Sequence, residues 1–461
     1  MKKFYAILLA LFASSGLLAQ EKGVVKVFNS PLKQRVMSLS DNGLFAVGYA
    51  IDVEGFSTAP FLWDLQKDTQ INLPDSEGND VEVVRGEAND VVDDGTLIVG
   101  ACNDLPATYD TTTKKWTMLP MPSKEYVSGW ASKVTPDGKY IIGIAFTADM
   151  KTGEACLWEN GKLLEVVLPE KTIFGGAATM NCFDAISADG SIVTGRLQYT
   201  KSPQASCAFV YNIHTKEFRY MAPDIFLEKD PGGEILHNEV LDNAVSPNGK
   251  YVGGVFYGTN YIGDPEDYSW LDVEEYSTCF TYEPRSGKFV DMHDVSAIYT
   301  EVGISTVDNN GIYYAFTPIN YPVRTAYIIQ GENKTPLVEY VRKNFNADIS
   351  GKGTVMSVSA NGDVLAVLET LFGDNYVVAK AGALTGTATI NIPTVRYSLE
   401  GKELHLAEEV RSVALYDLSG RRLLKMAHPQ SVITLACCQG TYILKIVDNK
   451  GEETMAKIIL P

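Results

Sequence analysis

The sequence is punctuated seven times by one dipeptide chemistry: Asn42-Gly43, Asp94-Gly95, Asp137-Gly138, Asp189-Gly190, Asn248-Gly249, Asn310-Gly311 and Asn361-Gly362. The intervals run from 43 to 62 residues, and each pair separates two apolar runs. Asn-Gly or Asp-Gly in that setting favours the tight turn of a β-hairpin, in which both central residues take positive φ. A hairpin recurring at this period cannot bury its apolar faces alone and must stack on its neighbours.

The pattern around the turns extends each hairpin to four strands, a to d, in a meander. In one copy it reads Val134-Thr135-Pro136-Asp137-Gly138-Lys139-Tyr140-Ile141-Ile142-Gly143, then Ala155-Cys156-Leu157-Trp158, then Lys162-Leu163-Leu164. Third strands end in an aromatic at Trp63, Tyr109, Trp158, Tyr211 and Tyr282. Fourth strands are expected at Gln70–Leu73, Lys115–Leu119, Lys162–Leu168, Glu217–Met221, Lys288–Met292 and Pro336–Tyr340, one fewer than the hairpins. The missing strand is supplied by Gly23–Phe28, which can complete the last unit beside Asn375–Lys380. A ring closed from both chain ends leaves no free edge, so residues 20–383 are expected to form a seven-bladed β-propeller. The segments Ile186-Ser187-Ala188-Asp189-Gly190 and Ala155-Cys156-Leu157-Trp158 resemble the HAF-type repeats of exported bacterial proteins, a resemblance that implies architecture and no shared chemistry.

In such a blade the a-b and c-d turns share one face of the disc, and the b-c and d-a loops share the other. Length variation is concentrated in d-a loops such as Pro74–Ala88, Pro169–Asn181 and Pro223–Leu241, and in a b-c insertion over Tyr257–Thr278. Variable loops on a rigid scaffold carry function, which places the expected working surface on the b-c/d-a face. The insertion sets Tyr257, Tyr261, Tyr268, Trp270 and Tyr276 among carboxylates, a composition suited to stacking on sugar rings and accepting from their hydroxyls, or to a self-packed loop. Trp130 is read in another d-a loop, as pocket lining or as a blade anchor. Asp264, Glu266 and Asp267 offer hard oxygen ligands to calcium, but without the glycine and terminal glutamate of a calcium loop. A solvated acidic turn is the simpler reading.

No dinucleotide fingerprint, phosphate-binding glycine loop or CxxC pair is present, and His214, His237, His293, His405 and His428 have neither metal-binding nor triad spacing. No cofactor is expected. The leading expectation is a binding module for a glycan or a surface protein. The alternative is a carbohydrate-active enzyme, a glycosidase or lyase, with its site in the central funnel. The net charge is −18, and residues 384–461 hold nine Lys or Arg against eight Asp or Glu, so the acidity lies in the repeat region and disfavours nucleic acid and polyanions.

Residues 1–19 carry Lys2 and Lys3, an apolar run and Leu17-Leu18-Ala19, the pattern of a cleaved signal peptide. No later stretch is long and apolar enough to span a membrane. Cys156, Cys207 and Cys279 fall in apolar strands and are expected to be buried rather than bridged, and the adjacent Cys437 and Cys438 are expected to be unpaired with each other.

After residue 383 the pattern becomes short alternating strands, among them Val410–Leu423, Gly440–Ile446 and Met455–Leu460, which read as a small Ig-like antiparallel β-sandwich over 384–461. Tyr416-Asp417-Leu418-Ser419-Gly420-Arg421, Gly440-Thr441-Tyr442 and the strand holding Lys457 are similar to the C-terminal sorting domain of the type IX secretion system of Bacteroidetes. That resemblance makes Gly440, Tyr442 and Lys457 the sorting motif and implies outer-membrane secretion machinery as a partner. It places the chain outside the cell or on its outer surface. Cys437-Cys438 departs from the usual loop.

Overall fold

The computed structural model describes residues 21–460 except 29, 31, 53–54, 79–83, 172–177, 200–204, 222–237, 263–271, 295–302, 321–322, 332, 351–352, 370–374, 386–396, 401, 407–408, 418–421, 436–439 and 450–452. The chain divides into two compact units, residues 1–386 and 387–461.

The first unit holds seven antiparallel four-stranded meanders. Their inner strands are Arg35–Leu39, Gly86–Val91, Tyr126–Val134, Met180–Ile186, Asn238–Val245, Gly303–Val307 and Thr354–Val358. Six meanders are contiguous in sequence. The seventh takes its outer strand, Val24–Phe28, from the other end of the unit, paired antiparallel with Asn375–Ala379. The third and fourth share one sheet through a single parallel bridge between Gly153 and Met180. Each inner strand lies against the next, and that of the seventh meander against that of the first, giving a β-propeller arrangement.

The core is correspondingly divided, with an apolar cluster at every junction between meanders. Phe28, Val36, Phe61 and Trp63 pack with Val364, Ala366 and Val377 where seventh meets first. Val47 and Leu62 pack with Ala88 and Ile98 at the next junction, and the pattern continues round the ring. Both faces of these strands are therefore covered, which is why they read as nearly continuous Val, Ile, Leu and Ala runs. The third-strand aromatics fill the junctions: Trp63 and Trp158 are among the largest fully buried side chains, and the Trp158 indole N–H donates to Pro120 O at 2.8 Å.

The a-b turns differ from the expected geometry. Only the glycine has positive φ, from 67° to 74°, and its N–H donates to the carbonyl three residues earlier, as Gly43 to Ser40 at 2.8 Å. The turn is thus a type I turn followed by a left-handed glycine. The first residue explains the choice. The Ser40, Thr135, Ser187, Ser246 and Ser359 hydroxyls each accept from the backbone N–H five residues on and donate to the Asn or Asp side chain of the turn. Those carboxamides and carboxylates in turn accept the N–H two residues ahead. Glycine is required twice over at Gly190, where a Cβ would lie 2.4 Å from the Tyr140 ring of the preceding meander.

These turns also touch one another. Backbone N–H groups of Asp93, Ala188, Asn309 and Ala360 donate to the carbonyls of Pro136, Pro247, Ala360 and Asp41, the equivalent residues of the following turns. Asn42 and Asn248 add side-chain bonds to Asp93 O and Asn309 O at 2.7 and 3.1 Å.

A second correction concerns Pro336–Tyr340. The fourth strand there is Asn333–Pro336, and the α-helix Leu337–Phe345 follows it. Pro336 sits at the N-cap with φ −56° and ψ 140°, and Leu337, Tyr340, Val341 and Phe345 repeat at helical spacing on the buried side. Asn346 ends the helix in the left-handed conformation.

In the second unit one sheet comprises Tyr397–Glu400, Glu403–Leu406 and Val432–Thr434, and the other Val410–Tyr416, Arg422–Ala427, Gly440–Asp448 and Glu453–Leu460. Leu404, Leu406 and Ile433 of the first share a core with Val413, Leu415, Leu444 and Ile446 of the second. Of the cysteines, Cys102, Cys156, Cys182 and Cys207 are buried thiols that form no disulfide. Burial pushes the Cys156 and Cys182 thiols up to about 12, so they behave as small apolar side chains. Cys437 and Cys438 lie outside the described residues.

Phe28 ties the split meander to the ring, its ring centroid 4.5 Å from Phe61 and 5.2 Å from Trp63. Phe28→Ala is expected to cost about 3–5 kcal/mol, read as a lowered denaturant midpoint. An exposed edge-strand control, Val27→Ala, should cost far less.

Candidate functional site

Every inner strand carries a register shift at the same level. The partner strand skips Met37, Asn89, Ser132, Asp184, Ser305 and Met356 in six meanders and residues 242–243 in the fifth. Such β-bulges free backbone groups and re-aim side chains. Polar side chains of neighbouring strands accept backbone N–H groups near this level. Asp90 Oδ2 accepts from Val134 N at 3.1 Å, and Ser357 Oγ from Leu39 N at 3.0 Å.

Just beyond the bulges, at the a-b end, inner strands and turns from all seven meanders line a partly open cavity of about 120 Å³. Its charged lining is Asp41, Asp90, Lys133 and Asp184. Ser38 Oγ donates to Asp90 Oδ1 at 2.7 Å and accepts from Lys133 Nζ at 2.9 Å, while Lys133 Nζ stands 3.8 Å from Asp90 Oδ1. Asp184 is held in a two-pronged pair with Arg196, at 3.0 Å from Nε and 2.9 Å from Nη2. Burial pushes the Asp41 carboxyl up to about 7, with the charges of Asp90 and Asp93 adding and Lys133 opposing. Burial also raises Asp90, against Lys133, Ser38 and two backbone N–H groups.

The opposite end of the strands, facing the b-c and d-a loops, has a different character. Trp130 lies in the inner strand Tyr126–Val134, opposite Ile144, and not in a loop. Gly129 allows this placement, because a Cβ there would lie 2.2 Å from Ile144 O. The Trp130 indole is 36% exposed and rests on Phe146 at 5.1 Å between ring centroids. On the adjacent strand Asn89 Nδ2 donates to Ala131 O at 3.0 Å and to Glu87 Oε2 at 2.9 Å, and Glu87 Oε1 accepts from Ser57 at 2.7 Å. Arg35, at the same level in the first meander, has a buried Nε with no hydrogen-bond partner among the described residues.

The insertion is a long hairpin of Val252–Ile262 with Asp272–Glu283. Tyr257 registers opposite Ser277 and Tyr261 opposite Val273, whereas Tyr276 faces Gly258 across the ladder, so the three positions do not share one face of the hairpin. Tyr268, Trp270, Asp264, Glu266 and Asp267 lie outside the described residues. Among the described residues no three His, Cys, Asp or Glu side chains converge as a metal site. In the second unit Tyr442 is buried in the core, Gly440 registers opposite Leu460, and Lys457 opposite Ile443. Among the described residues no helix is long and apolar enough to cross a membrane. The axial cavity escaped sequence reading because its lining comes from seven strands far apart in the chain.

No protein-family model and no curated protein matches this sequence. Among solved structures, an oligogalacturonate lyase from Vibrio parahaemolyticus is 11% identical with a TM-score of 0.47, covering 78% of this chain and 97% of that one. The β-propeller domain of the Trilobed protease from Pyrococcus furiosus is 10% identical at 0.43, covering 78% and 94%. PorZ, a surface component of the type-IX secretion system of Porphyromonas gingivalis, is 12% identical at 0.42, covering 93% of this chain and 58% of that one.

Asp41 gives the site a pH signature. Its folded value lies above that of an unfolded chain, so between about pH 4 and pH 7 the folded protein holds more protons and loses stability as pH rises. Thermal melts across that range should show wild type falling relative to Asp41→Asn, with the difference level above it. A parallel pair of curves would remove Asp41 as a titrating group.

Proposed function

We propose that this chain is an exported seven-bladed β-propeller that binds a glycan at the b-c/d-a mouth of its axis. The observation that carries the reading is Trp130, an exposed indole braced on Phe146 at the b-c/d-a end of its inner strand. An exposed apolar ring face matches the stacking face of a sugar. Tyr257 and Tyr261, which share one face of the insertion hairpin, would extend that surface. In this reading residues 1–19 are a signal peptide, and residues 384–461 form an Ig-like sandwich. That sandwich addresses the propeller to the outer surface through Gly440, Tyr442 and Lys457.

A glycan array followed by titration with the best ligand tests the binding. Trp130→Ala is expected to weaken it about tenfold, equivalent to ~1.4 kcal/mol, with an unchanged melting temperature. Equal affinity of the two proteins would remove Trp130 from the site. The carbohydrate-active alternative draws on the carboxyls of Asp41, Asp90 and Asp184 around one cavity, since a carboxyl still protonated near neutrality is what a general acid requires. Release of new reducing or unsaturated ends by wild type, lost in Asp41→Asn, would put catalysis in place of binding.

Export is tested separately. Removing residues 387–461 is expected to leave the propeller folded and inside the outer membrane. Its appearance at the cell surface without them would end the sorting role.

A further inference from the structure

We propose that the axial cavity at the a-b end is a second ligand site, distinct from the Trp130 mouth, and takes a compact molecule with one primary ammonium group paired to the Asp41 carboxylate.

Hydrogen bonding accounts for every charged group of the lining except one. Asp90 is satisfied by Ser38, by Val134 N and by the nearby Lys133 ammonium. Asp184 has both oxygens on Arg196. Lys133 donates to Ser38. The half-buried Asp41 side chain has no hydrogen-bond or ion-pair partner among the described residues, although its backbone carbonyl closes the ring of turns by accepting from Ala360 N at 2.7 Å. A half-buried carboxyl that lines the cavity without a protein partner is open to a positive one brought by a ligand.

The chemistry of the partner follows from what surrounds it. The lining carboxyls Asp41, Asp90 and Asp184 stand against Lys133 and the Arg196 partner of Asp184, one carboxylate in excess, and Asp93 of the second meander adds a further negative charge near Asp41. An anion is repelled, and a neutral hydroxyl leaves the excess charge unmatched. A divalent cation wants about six oxygen ligands, and among the described residues no three carboxylates converge as a metal site. A single ammonium group matches both charge and donor count. At about 120 Å³ the space is slightly smaller than the ~150 Å³ that accommodates benzene. Pro136, Pro247, Val307 and Met356 supply apolar wall for a short carbon stem.

Pairing with an ammonium group favours the ionised form of Asp41, so binding must expel the proton that Asp41 holds. A group half protonated at neutrality then releases about half a proton per ligand at pH 7, and affinity rises about tenfold between pH 6 and pH 8.

The experiment is titration calorimetry of the mature full-length chain with ethanolamine. Ethylene glycol serves as the neutral control, and two buffers of different ionisation enthalpy are used at pH 7. Ethanolamine should bind with proton release, ethylene glycol should not bind, and Asp41→Asn should lose both binding and release. Lys133→Met, which removes the competing ammonium, should bind ethanolamine more tightly than wild type. This second variant keeps the test open if Asp41→Asn misfolds. Trp130→Ala should leave ethanolamine binding unchanged, so failure at this site and failure of the glycan reading are separate results. Absence of ethanolamine binding at millimolar concentration, binding without proton release, or undiminished binding by folded Asp41→Asn would each overturn the proposal.

Discussion

The structure depends on the closure of its ring. Each apolar cluster of the first unit is shared by two meanders, so no meander completes a core alone, and the series ends only when the seventh meets the first. That junction is made several times over. Val24–Phe28 pairs with Asn375–Ala379, Asn375 Nδ2 donates to Gln34 O at 2.8 Å while its Oδ1 accepts from Val36 N at 3.2 Å, and Ala360 N reaches Asp41 O. Gln34 is buried, with its amide donating to Ala59 O and Asn72. A buried amide with each polar atom engaged specifies register in a way that an aliphatic contact does not.

The bulges give this stack a usable interior. Continuous ladders would point alternate side chains only into the junctions, where the apolar clusters already lie. One skipped residue in six inner strands, and two in the fifth, break the alternation at a common level and present Asn89, Asp184 and Ser305 there. The inner strands Tyr126–Val134 and Arg35–Leu39 are also edges of their sheets, which leaves alternate N–H groups without a ladder partner, and Asp90 and Ser357 accept two of these from Val134 and Leu39. Polar residues on the axis thus serve structure and lining together, and among the described lining carboxyls Asp41 stands apart from Asp90 and Asp184, which are hydrogen-bonded.

Much of this was legible in the sequence because its cause is local. A glycine after Asn or Asp, preceded by Ser or Thr, sets a turn within five residues, and the strand count and the N-terminal outer strand follow from repetition. The dipeptide alone predicts a turn with two residues at positive φ, whereas Ser40 and its equivalents decide the geometry through their hydroxyls. The helix Leu337–Phe345 was hidden by its length. Nine residues starting at a proline resemble a strand until the spacing of Leu337, Tyr340, Val341 and Phe345 is weighed against period two. Ser128-Gly129 before Trp130 has the composition of a loop, whereas in the structure that glycine lets two strands approach. The cavity was beyond reach, since no local pattern relates Ser38, Lys133 and Asp184.

The two prolines of the turn ring, Pro136 and Pro247, have no N–H to pass to the following turn. Between the fifth and sixth meanders Asn248 makes up for it, with its backbone N–H on Asn309 Oδ1 and its amide on Asn309 O. Between the third and fourth, the strand bridge from Gly153 to Met180 joins the two sheets instead. Neighbouring blades are therefore welded by different chemistries at different radii: backbone to backbone in some places, an amide clasp in others, and once a shared sheet. A molecule assembled from near-identical repeats consequently has distinguishable seams, and the seam at which it first parts under load is written in single residues of its shortest turns.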